Sequence, residues 1–93
     1  MRKIFKYDIP DQNAGIVGFF GEFIIKMPKD HFTLCVRKQG DHFRIWAIVD
    51  PDSPEVDIGF YSAGTGKELP DDSLRYIDTY MDGVFVWHLF EIQ

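Results

Sequence analysis

Apolar and polar residues alternate along most of the chain. A period of two predicts half-buried strands rather than helices. From Lys3 to Ile9, Phe5, Tyr7 and Ile9 share one face and Lys6 and Asp8 the other, and Pro10 ends the run because it cannot donate to a ladder. Glu22–Met27 reads as a second strand, stopped by Pro28, and Phe32–Lys38 as a third, with Phe32, Leu34 and Val36 on one face. Gln39-Gly40-Asp41 is a hairpin-length turn. The run Phe43-Arg44-Ile45-Trp46-Ala47-Ile48-Val49 is apolar on both faces, which predicts a strand covered on both sides, and Asp50-Pro51 stops it. Asp50–Glu55 is a loop by composition, and Val56–Ser62 resumes as strand. After the glycine turn Ala63–Lys67 and the loop Leu69–Ser73, the strands Leu74–Met81 and Val84–Ile92 flank Asp82-Gly83, a strong hairpin signal. The last of these is apolar on both faces and should be central.

Seven short strands and almost no helix predict an all-β single domain over residues 1–93, a sandwich or a small, partly open barrel. Pro10–Gly21 is the least legible stretch. It carries Ile16, Val17, Phe19 and Phe20 among glycines, and reads as a loop whose apolar tip plugs the core or, alternatively, binds a partner.

Composition narrows the class. Hydrophobic residues make up 45% of the 93 and aromatics 16%, enough for a core. A net charge of −5 disfavours ordinary nucleic-acid backbones as partners. No apolar run is long enough to span a membrane, and the N-terminus lacks a signal-peptide core. A single cysteine, Cys35, cannot close an internal disulfide; a cytoplasmic protein is expected. A domain this small gains from association, so a homo-oligomer is expected too.

Candidate chemistry is sparse. Gly64-Thr65-Gly66-Lys67 fails as a phosphate-binding P-loop, because Tyr61 and Glu68 stand where a glycine and a Ser or Thr are needed. A weaker anion-binding turn survives, with backbone N–H groups and the Lys67 charge. The acidic run Asp50, Asp52, Glu55, Asp57 lacks the glycine and glutamate of a calcium loop. His31, His42 and His88 show no metal spacing, and no nucleophile pattern appears. No metal, cofactor or catalytic residue is expected, and the chain reads as a non-enzyme. His88 lies in phase with Val86 and Phe90 and reads first as a core histidine, second as a ligand contact. Arg75 reads as a surface ion pair with Asp50, Asp71 or Asp72, or as a grip on a phosphate.

Ile4-Phe5-Lys6-Tyr7, Met27-Pro28, Trp46-Ala47 with Val49-Asp50-Pro51, Gly64-Thr65-Gly66, Arg75-Tyr76-Ile77, and His88 with Phe90-Glu91 together resemble a family of short phage and prophage proteins with no assigned activity. The resemblance spans nearly the whole chain. The Pro10–Gly21 loop is longer than in that pattern, and Lys67 stands where members often carry a histidine. What the resemblance implies is a setting, interference with the host cell. Two functions compete. The first is a sponge for a small nucleotide-like signal of host defence, held by Trp46, Gly64, Thr65, Gly66, Lys67, Arg75, Tyr76 and His88, with Trp87 as a further ring for stacking. The second is an inhibitor, or acidic DNA mimic, that blocks a host defence protein.

Overall fold

The computed structural model describes residues 1–10 and 21–93. The expectations for residues 11–20, which hold most of the Pro10–Gly21 loop, lie outside the described residues. Seven strands follow in order: β1 (Lys3–Asp8), β2 (Gly21–Pro28), β3 (His31–Gln39), β4 (His42–Val49), β5 (Glu55–Gly64), β6 (Leu74–Asp82) and β7 (Phe85–Ile92). They form two antiparallel sheets, β1-β4-β3 and β2-β5-β7-β6. The fold is the predicted all-β sandwich, and the sheets do not close into a barrel.

The core lies between the sheets. Phe23, Ile25 and Met27 of β2, Val36 of β3, Ile45 of β4, Phe60 of β5, Tyr80 of β6 and Trp87 and Leu89 of β7 are buried there with Ile9. Phe23 and Phe60, cross-strand neighbours, stack at 5.5 Å. β7 is central, as its apolar faces predict. β4 is central too, but only one of its faces is sealed. Ile45, Ala47 and Val49 are buried, whereas Trp46 and Ile48 on the outer face are half-buried, with Lys6 over the Trp46 ring at 5.8 Å. The Lys6 ammonium over Trp46 stands where a second layer was expected.

Two β-bulges alter the alternation. In β3 the register shifts between Thr33 and Cys35, so Thr33 and Val36 face inward although they are three apart. Phe32 and Leu34 are consequently exposed, and they do not share a face with Val36 as simple alternation predicts. In β6 the shift lies between Tyr76 and Asp78. The β6–β7 hairpin is also offset by one residue: Asp82 pairs with Phe85, leaving Gly83-Val84 as its loop, with Gly83 supplying the positive φ of 62° that a primed turn needs first.

The bulged stretches meet. β3 and β6 are edge strands of different sheets, and β6 side chains satisfy the backbone of β3. Asp78 accepts the Val36 N–H at 3.1 Å and pairs with Arg37, while Arg75 donates to the Thr33 carbonyl at 3.0 Å. This seam clasps one side of the sandwich.

Candidate functional site

The site expected from the sequence is divided by the fold. Trp46 lies on the outer face of the three-stranded sheet. Arg75 is part of the seam: besides the Thr33 carbonyl it stacks on Phe32 at 4.4 Å and lies 3.7 Å from Glu91. These contacts are not the expected pairing with Asp50, Asp71 or Asp72. Gly64, Thr65, Gly66, Lys67, Tyr76 and His88 remain, and these the structure brings together on the four-stranded sheet.

The turn that follows β5 is built by a Lys67 N–H bond to the Gly64 carbonyl at 3.1 Å. Gly66, third of the four residues, has φ of 84°, the type II geometry that disfavours any side chain there. A Cβ on Gly64 would sit 3.3 Å from the Trp87 ring, so a side chain there asks that ring to give by a few tenths of an ångström. Thr65 N–H bonds the Val86 carbonyl at 3.3 Å. The N–H groups of Thr65 and Lys67 are therefore spent within the fold, and anion attraction at this turn rests on the exposed Lys67 ammonium rather than on a backbone nest.

From the turn a chain of hydrogen bonds runs across the outer face. Thr65 Oγ1 lies 2.8 Å from His88 Nε2, Thr79 Oγ1 3.0 Å from His88 Nδ1, and Tyr76 Oη 2.7 Å from Thr79 Oγ1. The β6 bulge makes this possible, because it brings Tyr76 and Thr79, three residues apart, onto one face. His88 is thus not a core histidine. It is half-buried on the outside of the sheet, between hydroxyls that can each donate or accept. Tyr76 is 53% exposed and meets Phe90 edge-on at 5.8 Å.

Beside the turn lie two adjoining hollows. One of about 360 Å³ is lined by Tyr61, Ser62, Ala63, Gly64, Lys67 and Trp87. The other, about 420 Å³, is lined by Gly64, Thr65, Lys67, Val84, Phe85, Val86 and Trp87. They share Gly64, Lys67 and Trp87. Phe85 stacks on Trp87 at 6.2 Å, and both rings line the second hollow together with Lys67. Tyr61 and Phe85 were not among the expected contacts. Their place at the end of β5 and the start of β7 follows from strand register, which no local pattern reveals.

A second polar cluster escaped the sequence reading. Between the sheets, His31 Nε2 lies 3.0 Å from Glu91 Oε2, and Thr33 Oγ1 donates to Glu91 Oε1 at 2.6 Å. His31 Nδ1 faces the Pro28 and Lys29 carbonyls at 2.9 and 3.0 Å. The His31 and Glu91 side chains are 8% and 11% exposed. One signal was legible: Glu91 is in phase with Trp87 and Leu89, a carboxylate on an apolar face. Among the described residues no group of His, Cys, Asp and Glu could hold a metal ion, and no helix is long and apolar enough to cross a membrane. The Asp50 carboxylate of the acidic loop accepts the Asp52 N–H at 3.0 Å.

Neither the curated proteins nor the solved structures contain a match to this chain. A family model does match, over residues 1–93, and by it the chain belongs to the domain of unknown function DUF7352.

Proposed function

We propose that this chain is a non-enzymatic binding protein that holds a flat, anionic, nucleotide-like molecule beside the Gly64–Lys67 turn. The observation that carries the reading is the pair of hollows, both lined by Lys67 and Trp87, with Tyr61 in one and Phe85 in the other. A planar base gains stacking and apolar contact from such walls, and a phosphate gains the ammonium charge. Thr65 and His88 border the same turn and offer hydroxyl and imidazole groups that can re-pair with a ligand's polar edge. Trp46 and Arg75 drop out of the binding set, and Tyr61 and Phe85 enter it. Sequestration of a host-defence signal is the finer form of this reading, and it draws on the resemblance to phage proteins rather than on geometry.

The chain has two tryptophans, so Trp46→Phe leaves Trp87 as the sole reporter. Titration of that variant with mono- and dinucleotides is expected to change its emission, with half-saturation in about the micromolar range. Lys67→Glu in the same background should weaken binding about tenfold or more. An unchanged emission and unchanged amide spectrum up to about 1 mM nucleotide would overturn the proposal.

A second reading, blocking a host protein, is favoured by one feature. Ile4, Phe32 and Leu34 are exposed on the outer face of the three-stranded sheet at 63, 53 and 37%. Direct binding of a purified defence protein through that face, lost in Phe32→Glu, would support it.

A further inference from the structure

β1 is the most exposed strand of the molecule. Five of its six residues are exposed, and among the described residues no strand pairs with its outer edge. The hydrogen-bonding direction of that edge follows from the register. Ile9 N–H bonds the directly opposed Phe43 carbonyl, continuing the β1–β4 ladder. Residues of the same parity, Phe5 and Tyr7, therefore point their backbone groups at β4. Ile4, Lys6 and Asp8 point theirs outward. An edge with outward N–H and C=O groups is a template for another strand. The usual protection, a lysine aimed at the edge, is weakened here, because Lys6 Nζ turns back to Gln39 Oε1 at 3.0 Å and to the Trp46 ring.

We infer that the partner for this edge is β1 of a second copy, paired antiparallel about a two-fold axis centred on Phe5. A two-fold axis perpendicular to the sheet keeps faces matched only when it passes through a residue. Centring on Phe5 sets Arg2 opposite the partner's Asp8, Lys3 opposite the partner's Tyr7, and Ile4 opposite the partner's Lys6. No like charges meet. Centring on Lys6 would oppose the two lysines, and centring on Ile4 would oppose Arg2 and Lys6; both registers are penalised. In the favoured register Ile4 and the partner's Lys6 exchange N–H···O bonds, and Phe5, 39% exposed in the monomer, packs on its counterpart. The product is a continuous six-stranded sheet, and the pairing is independent of the ligand site on the other sheet.

The register sets the test. In a Cys35→Ser background, Phe5→Cys places the new thiol opposite itself in a non-hydrogen-bonded pair, where mild oxidation should give a disulfide-linked dimer. Ile4→Cys alone should not link, but mixed with Lys6→Cys it should. Sedimentation velocity of the unmodified chain should show a dimer assembling at about tens of micromolar, as expected of a small interface. Ile4→Pro removes an outward N–H without touching the β1–β4 ladder, and should weaken the dimer about tenfold or more. Arg2→Glu, which sets like charges together, should weaken it similarly. A monomer at every concentration, or a dimer that links through Ile4→Cys alone, would overturn the inference.

Discussion

His31 and His88 each have both ring nitrogens engaged, and their surroundings could hardly differ more. His31 is sealed between the sheets, facing the Pro28 and Lys29 carbonyls on one side and the Glu91 carboxylate on the other. His88 lies on the outer face between the Thr65 and Thr79 hydroxyls. Backbone carbonyls only accept, so the His31 arrangement leaves no choice at Nδ1, which donates to the backbone and leaves Nε2 for Glu91. Hydroxyls donate or accept, so the His88 arrangement has several solutions. The first is a fixed tie joining β3 to β7. The second can surrender a partner to an incoming ligand without leaving a polar group stranded. Partner type, as well as burial, decides which histidine is structural and which is available.

The largest effect that could break this contrast is at Glu91. Glu91→Ala strands His31 and the Thr33 hydroxyl in a nearly closed space, and should cost about 3–5 kcal/mol of unfolding free energy by urea denaturation. A loss below about 1 kcal/mol would mean that the cluster is no tie.

A buried pair of hydroxyls separates partner type from burial. Ser62 and Tyr80 lie 2.6 Å apart in the core. Burial pushes the Tyr80 phenol up to about 12 from its ordinary 10.0, and Asp82 adds to the rise while the Ser62 bond opposes it. A raised phenol favours the proton-bound native state. Its contribution to stability is therefore full below pH 10.0 and is lost as pH climbs towards about 12. Stability should fall across that window, with one phenolate appearing late in ultraviolet absorbance. Tyr80→Phe should flatten that part of the fall while losing about 1 kcal/mol at neutral pH through the missing bond to Ser62.

The smallest effect is expected at His88. His88→Ala should change stability by no more than about 0.5 kcal/mol, because both hydroxyls it leaves are exposed and can turn to water. His31→Ala, by contrast, should cost about 2–4 kcal/mol, since it leaves the Glu91 carboxylate short of a partner. Equal losses at the two histidines would dissolve the comparison.

The sequence made the strands legible because alternation, proline stops and glycine turns are local signals. All seven strands fall within a few residues of their expected places. What alternation could not convey was phase across a bulge. Leu34 and Ile77 look like ordinary strand residues, yet each sits where the register shifts, and each shift moves later side chains to the other face. That is why Val36 parted from Phe32, and why Tyr76 came to share a face with Thr79. The candidate site was legible as far as one turn and its neighbours reach, namely Gly64, Thr65, Gly66, Lys67, Tyr76 and His88. Trp46 and Arg75 were attractive as residue types but belong to the other sheet and to the seam. Tyr61, Phe85 and the His31–Glu91 tie depend on which strands and sheets become neighbours, which only long-range pairing decides.

The clasp between β3 and β6 also has a meaning for growth. A strand-to-strand fibre needs a sheet that can be extended at both sides, so that each added copy offers the next a fresh template. The three-stranded sheet cannot do this. Asp78 and Arg75 occupy backbone groups of β3 that an arriving strand would require. Among the described residues only the β1 side remains open, and the inferred pairing of two β1 strands about a two-fold axis would use up both openings at once. With that pairing, assembly along this sheet would terminate at two copies, and the side chains that hold the sandwich shut would also keep it from becoming the unit of a polymer.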